Sequence, residues 1–143
     1  MWETIRELDN NNHSVFMLHY HLVMCTKDCR KVIDDDISNR LKEIFLNIAF
    51  SYNITLEEWN HDFDHLYVIF RGAPNTELSK FINAYKSASS RLIKKERPEI
   101  KKSLFKDMFW SNSFCLIGTG SISEDIIKQY IQTQGKKEEI NNG

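Results

Sequence analysis

Apolar and polar positions change their spacing several times along the chain, and each change marks an element. "SVFMLHYHLVMCT" (residues 14–26) is a long apolar run with aromatic and β-branched side chains, ending at the polar "KDCRK". It predicts a strand buried on at least one face. "DDDISNRLKEIFLNIAFSYN" then places Ile37, Leu41, Ile44, Phe45, Ile48 and Tyr52 at helical spacing. Its leading aspartates suit the positive end of a helix dipole, so an amphipathic helix is predicted to start there. "ITLEEWN" and "HLYVIFRG" are short β-prone runs separated by the polar "HDFD" and closed by "GAPN", the pattern of an antiparallel pair.

In "TELSKFINAYKSASSRLIKKE", Leu78, Phe81, Ile82, Tyr85, Leu92 and Ile93 form one apolar stripe, while Lys80, Ser87, Ser90, Arg91 and Lys94 line the other side. Past Pro98, "EIKKSLFK" predicts a short helical segment and "MFWSNSFCLIGTG" a fourth strand. "SISEDIIKQYIQTQGKK" predicts a last helix, opened by Ser121 and Glu124 at capping-box spacing and ended near Gly135. The order β-α-β-β-α-β-α implies an α+β fold: a ferredoxin-like antiparallel sheet with helices on one face, plus a C-terminal helix. Residues 1–143 are read as a single domain, with the tail 136–143, "KKEEINNG", expected to be disordered.

Composition changes this picture little. At 143 residues, 41% hydrophobic and 12% aromatic, the chain can bury one real core. No run approaches the roughly 18 apolar residues of a membrane span, and "MWETIRELDNNNHS" is acidic and polar, unlike a signal peptide. A cytoplasmic protein with no membrane partner is expected. Cys25, Cys29 and Cys115 fit neither a zinc knuckle nor a redox pair and read as reduced thiols. Charge adds more. Residues 1–64 carry 6 basic and 12 acidic side chains, whereas residues 80–106 carry 9 basic and 2 acidic ones. That asymmetry marks a local face for an anionic partner, or a solvated lysine-rich helix.

Three constellations could carry chemistry. In "HDFDHLYVIF", His65 and Tyr67 are two apart on a strand and project to the same side. Two histidines at that spacing can hold a divalent ion, but a lone strand histidine among apolar residues is more often structural. Tyr130 and Gln134, four apart on the last helix, share a face. A tyrosine there can be a phosphoryl-transfer nucleophile and a glutamine oxygen a hard-metal ligand. Equally, Tyr130 continues the packing stripe of Ile122, Ile126, Ile127 and Ile131. The first strand contains "HYH", His19 and His21, either of which could approach His65 from a neighbouring strand or join a structural hydrogen-bond network.

Taken in order, "YHLVMCTKDCRKV", "DHLYVIF", "KFINAYKSASSRLIKKE", "FWSNSFCL" and "SEDIIKQYIQTQG" resemble the single-tyrosine HUH transposases of the insertion-sequence 200/605 group, over about residues 14–135. The resemblance implies a small dimeric enzyme with composite active sites that binds single-stranded DNA and hairpins at transposon ends, then cuts and rejoins strands. By matching motifs, Tyr130 maps to the nucleophile that forms a 5′-phosphotyrosine link. His65 maps to the first HUH histidine, Gln134 to the third metal ligand, and Tyr67 stands where the second histidine is expected. The implied cofactor is Mg²⁺ or Mn²⁺. Lys86, Ser90 and Arg91 match recurrent positions of the family, and with Lys80 and Lys94 they are expected to contact DNA backbone.

Two departures bear on that expectation. A neutral phenol, with an ordinary pKa of about 10, is a poor ligand. Asp64, His61, His19 or His21 could compensate for Tyr67. After "TK", Asp28 and Cys29 replace the usual aromatic and basic residues, which would alter DNA contacts near the end of the first strand. Phe109 or Trp110 could stack on an unpaired base, although core packing is the plainer role. The competing reading is a descendant that grips hairpins without metal-dependent cutting, and Tyr67 favours it. An RNA-binding module on the same scaffold is weakened by the lack of an aromatic RNP-type motif.

Overall fold

The computed structural model describes residues 18–73, 75–118 and 130–135. Four strands, β1 (Leu18–Cys25), β2 (Thr55–His61), β3 (His65–Gly72) and β4 (Cys115–Gly118), form one antiparallel sheet in the order β2-β3-β1-β4. Helix α1 (Asp35–Ser51) connects β1 to β2, and α2 (Leu78–Glu96) connects β3 to β4. This is the ferredoxin-like arrangement implied by the element order.

Side-chain alternation divides the sheet into two faces. Leu22 and Met24 of β1 join Leu66, Val68 and Phe70 of β3 in the core beneath both helices. Val23 and Cys25 belong to a second, smaller cluster on the opposite face, together with Tyr67. The β1–β3 register runs without a slip from Leu18↔Gly72 to Cys25↔His65, while β2 shifts between Leu56 and Glu58.

Helix α1 starts where the aspartates predicted, with the Asp34 carboxylate accepting the Ile37 N–H at 2.8 Å. Its Phe45 is fully buried and lies 5.2–6.0 Å, centroid to centroid, from the rings of Trp59, Phe70, Phe81 and Tyr85. Burying each such side chain contributes about 1.5–3 kcal/mol. Tyr85, also fully buried, donates its hydroxyl to Leu41 O at 3.0 Å, and burial pushes its phenol pKa well up. Ser89 donates to Tyr85 O at 2.6 Å and accepts Trp110 Nε1–H at 2.9 Å, which anchors Trp110 in the core. Phe109 and Trp110 are only 1% and 5% exposed, so packing and not base stacking is their role.

The fourth strand is shorter than the apolar run suggested. Lys106 and Asp107 take left-handed backbone angles (φ 49° and 59°), and Phe109 and Trp110 then bury in succession instead of alternating. Two consecutive inward side chains break the pleat. The chain follows the end of β1 through an isolated Thr26↔Trp110 bridge, with Ser111 N–H donating to Cys25 O at 2.9 Å, before the ladder resumes at Cys115. The segment after Pro98 is a 3₁₀ helix, Pro98–Ser103. Residues 130–135 are helical. The Ser121/Glu124 capping box, the stripe residues Ile122, Ile126 and Ile127, positions 14–17 of the first apolar run and the tail 136–143 lie outside the described residues.

Part of the charge asymmetry is satisfied internally. Arg40 of α1 donates two bonds to Glu96 of α2, at 2.8 and 2.9 Å, and holds that carboxyl below its usual pKa. Arg97 pairs with Asp36 at the start of α1.

Candidate active site

The sheet face turned away from the helices carries His19 and His21 from β1, and His65 and Tyr67 from β3. His21 stands opposite Ile69 and Tyr67 opposite Val23, so His21 and Tyr67 meet on the diagonal, within reach of long side chains. The Tyr67 hydroxyl lies 2.6 Å from His21 Nδ1. Burial pushes the His21 pKa down; Glu58 opposes this, His19 adds to it, and Glu57 opposes it. A neutral imidazole protonated on Nε2 leaves Nδ1 to accept the phenol O–H.

His65 Nδ1–H donates to the Asp64 carboxylate at 2.9 Å, which orients the ring and leaves the Nε2 lone pair as the one able to ligate a metal. Asp62, Asp64 and His65 offer ligand atoms that all lie within 4.8 Å of one another. Of the four residues expected from the sequence as candidates to compensate for Tyr67, Asp64 bonds His65 and His21 bonds Tyr67. His19 is engaged by Glu57, and His61 Nε2 lies 3.0 Å from Asp35 Oδ1 at the start of α1.

The helical residues 130–135 pack on this same face. Tyr130 and Ile131 lie with Tyr67, Cys115 and Ile117 around Val23 and Cys25. Tyr130 therefore packs, as the stripe predicted, yet its hydroxyl sits 3.0 Å from Ser113 Oγ. Gln134 is 7% exposed, and its Oε1 accepts the Ser111 hydroxyl at 3.0 Å. Because Ser111 N–H bonds Cys25 O, and Cys25 pairs with His65, a short chain of contacts runs from Gln134 to His65. Asp28 and Cys29 sit in a 3₁₀ turn (Lys27–Cys29), and a Cβ added at Gly135 would lie 3.4 Å from Cys29 Sγ. That departure thus borders the C-terminal turn.

Sequence reading missed Asp62, Ser111 and Ser113. The one available signal was "SNS", two hydroxyls at a spacing of two, beside a Tyr-x₃-Gln pair. The clustered donors suit a hard divalent ion: carboxylates at 62 and 64 and the imidazole of His65. The Tyr67 phenol, bonded to His21, is the member that fits least.

A family model described as "Transposase IS200 like" matches residues 14–134. The chain belongs to the IS200-like transposase family. It is 26% identical over 132 residues to the ISDra2 transposase TnpA of Deinococcus radiodurans, spanning 92% of this chain and 94% of that one. The crystal structure of a D. radiodurans R1 protein, described as a transposase candidate, matches with a TM-score of 0.77 at 28% identity, over 84% of this chain and 92% of the other. A REP-associated tyrosine transposase bound to a REP hairpin shares the fold, with a TM-score of 0.56 at 10% identity, over 78% of this chain and 61% of that one.

In this IS200-like transposase the basic residues of α2 are only partly gathered. Ser90, Arg91 and Lys94 line an open groove of about 620 Å³ with Lys95 and Lys101. Lys86, Ser90 and Lys94 line an adjoining one of about 270 Å³. Lys80 lies outside both and pairs with Glu77 at 3.5 Å. Lys94 Nζ donates to Asp107 O at 2.9 Å and Lys86 Nζ to Asn112 O at 3.1 Å, while burial lowers the Lys86 pKa. Both lysines therefore brace the 107–112 segment as well as bordering the grooves. Among the described residues, no helix is long and apolar enough to cross a membrane.

Proposed function

We propose that the protein cuts and rejoins single-stranded DNA at hairpin-bearing ends through a 5′-phosphotyrosine intermediate on Tyr130. The observation that supports this reading is the packing of Tyr130 with Tyr67 around Val23 and Cys25, its hydroxyl 3.0 Å from Ser113 Oγ, while Gln134 bonds the adjacent Ser111. In the reaction the Tyr130 oxygen attacks a backbone phosphate, the new O–P bond replaces the bond to the 3′ oxygen, and that oxygen leaves as a 3′-OH carrying the phenol's proton. Attack of a 3′-OH on the phosphotyrosine reverses the exchange, so rejoining needs no nucleotide cofactor.

His65 and Gln134, with Asp62 or Asp64 supplementing the altered Tyr67 position, would hold a Mg²⁺ or Mn²⁺ ion. When bound, the ion would polarise the phosphate oxygens. Lys80, Lys86, Ser90, Arg91 and Lys94 supply phosphate contacts that read no sequence, so affinity should fall steeply as salt rises. The hairpin carried by the REP-associated transposase makes a hairpin the natural first ligand to try. A homodimer with composite sites would present the same Tyr130 and Gln134 contacts from the partner copy, whereas in the single chain residues 130–135 lie on their own sheet.

The test is incubation with single-stranded DNA from the protein's own locus, with Mn²⁺ or with EDTA, resolved on a denaturing gel. A metal-dependent covalent adduct is expected, absent in Tyr130→Phe while hairpin affinity persists. Equal loss of binding in that variant would make Tyr130 a packing residue. The second reading, a hairpin-binding protein without cutting activity, is favoured by the commitment of the Tyr67 hydroxyl to His21. Hairpin binding with no adduct under either condition would decide for it.

A further inference from the structure

Two polar side chains of the described residues 130–135 each contact a serine of the 111–113 segment. Ser111 Oγ donates to Gln134 Oε1 and Ser113 Oγ contacts Tyr130 OH, both at 3.0 Å. The spacings are matched. Two residues of non-helical chain reach at most about 7 Å. Four residues of helix rise about 6 Å. Hydroxyls at i and i+2 on the segment can therefore address groups at j+4 and j on the helix at once.

The segment is itself fixed to the folded body at three points. Ser111 N–H bonds Cys25 O, Lys86 Nζ bonds Asn112 O between the two serines, and the preceding Trp110 donates to Ser89. Ser111 is 2% exposed, so the bond to the buried Gln134 replaces hydration that neither group retains. Apolar packing of Tyr130 and Ile131 on Val23 and Cys25 holds the turn against the sheet but tolerates a slide or a rotation. Two directional bonds do not.

We propose that Ser111 and Ser113 are positioning residues that set the register of the nucleophile's helix. Ser111 anchors Gln134 in depth, and Ser113 orients the Tyr130 phenol. The assignment of a catalytic consequence rests on Tyr130 being the nucleophile; the register itself does not.

Two measurements on the full chain test this. At saturating hairpin-bearing single-stranded DNA with Mn²⁺, Ser113→Ala should slow adduct formation by about tenfold, the scale of one lost bond to a developing charge, with hairpin Kd within about twofold of wild type, and Ser113→Thr should restore the rate. In the absence of DNA, amide hydrogen exchange over residues 130–135 should accelerate in the Ser111→Ala, Ser113→Ala double variant, and exchange in α1 should not change. A wild-type rate of adduct formation in Ser113→Ala would overturn the orienting role, and unchanged exchange in the double variant would overturn the register. If the wild-type chain forms no adduct, the proposed strand-transfer activity fails, and the exchange experiment alone then sustains or overturns the register.

Discussion

On the helix-covered face of the sheet, Phe45 packs near four aromatic rings and shares one buried cluster with Leu22, Leu41, Val68 and Ile82. On the opposite face the buried cluster is Val23 and Cys25, and around it stand polar pairs: His21 with Tyr67, His65 with Asp64, Ser113 with Tyr130, Ser111 with Gln134. The first face gains its free energy from apolar area; the second holds directional contacts that contribute little net stability each. Apolar burial and polar contacts are thus carried by alternate residues of the same strands, so changes on the second face are expected to leave the first folded.

The largest effect expected from this division is thermodynamic. Phe45→Ala should cost about 3–5 kcal/mol by urea unfolding, because it removes a large ring from a site whose neighbours cannot collapse freely. Tyr67→Phe, which deletes one hydroxyl from the opposite face of β3, should cost about 0.5–1.5 kcal/mol. Comparable losses in the two variants would break the division.

The same division governs what could be read from the sequence. Periodicity located β3 at its observed bounds and α1 within two residues, because each buries one face against a common core. It overextended β4, since Phe109 and Trp110 are apolar on successive positions and no local pattern distinguishes that from a strand. On the other face, His65, Tyr67, Tyr130 and Gln134 were recognisable by their order. Their partners were not: His21 reaches Tyr67 diagonally across a strand pair, and Ser111 and Ser113 reach residues about twenty positions away. Such contacts depend on register and on the path of the 106–112 segment, which side-chain chemistry does not encode locally.

A smaller effect should follow from placing at position 67 the histidine that the sequence resemblance implies. Tyr67→His replaces a phenol engaged with His21 by an imidazole, and Mn²⁺ affinity, followed by the loss of free-ion paramagnetic resonance signal, should rise by about tenfold, the lower end of what even outer partners of a metal contribute. Unchanged affinity would mean that Asp62 or Asp64 already supplies the missing ligand and that the polar face is complete as it stands.

The smallest effect concerns His21 itself and is read from stability against pH in metal-free buffer. Burial holds its folded pKa below the ordinary value of about 6.5. Between that folded value and 6.5 the unfolded chain binds the proton and the folded one does not, so unfolding takes up protons and stability rises with pH. Acidification through about pH 6.5 should therefore weaken the fold, and the loss should level off below the folded pKa, where both states are protonated. Protonation at Nδ1 would also remove the acceptor for the Tyr67 hydroxyl, which acts in the same direction. Glu57 and Glu58 oppose both effects, which keeps the expected slope shallow. His21→Asn retains an acceptor near the Nδ1 position but cannot titrate, so its stability curve should be flatter than wild type across this interval. Equal slopes in the two proteins would place the partly buried His21 in effectively aqueous surroundings, and its contact with Tyr67 would then owe little to exclusion of water.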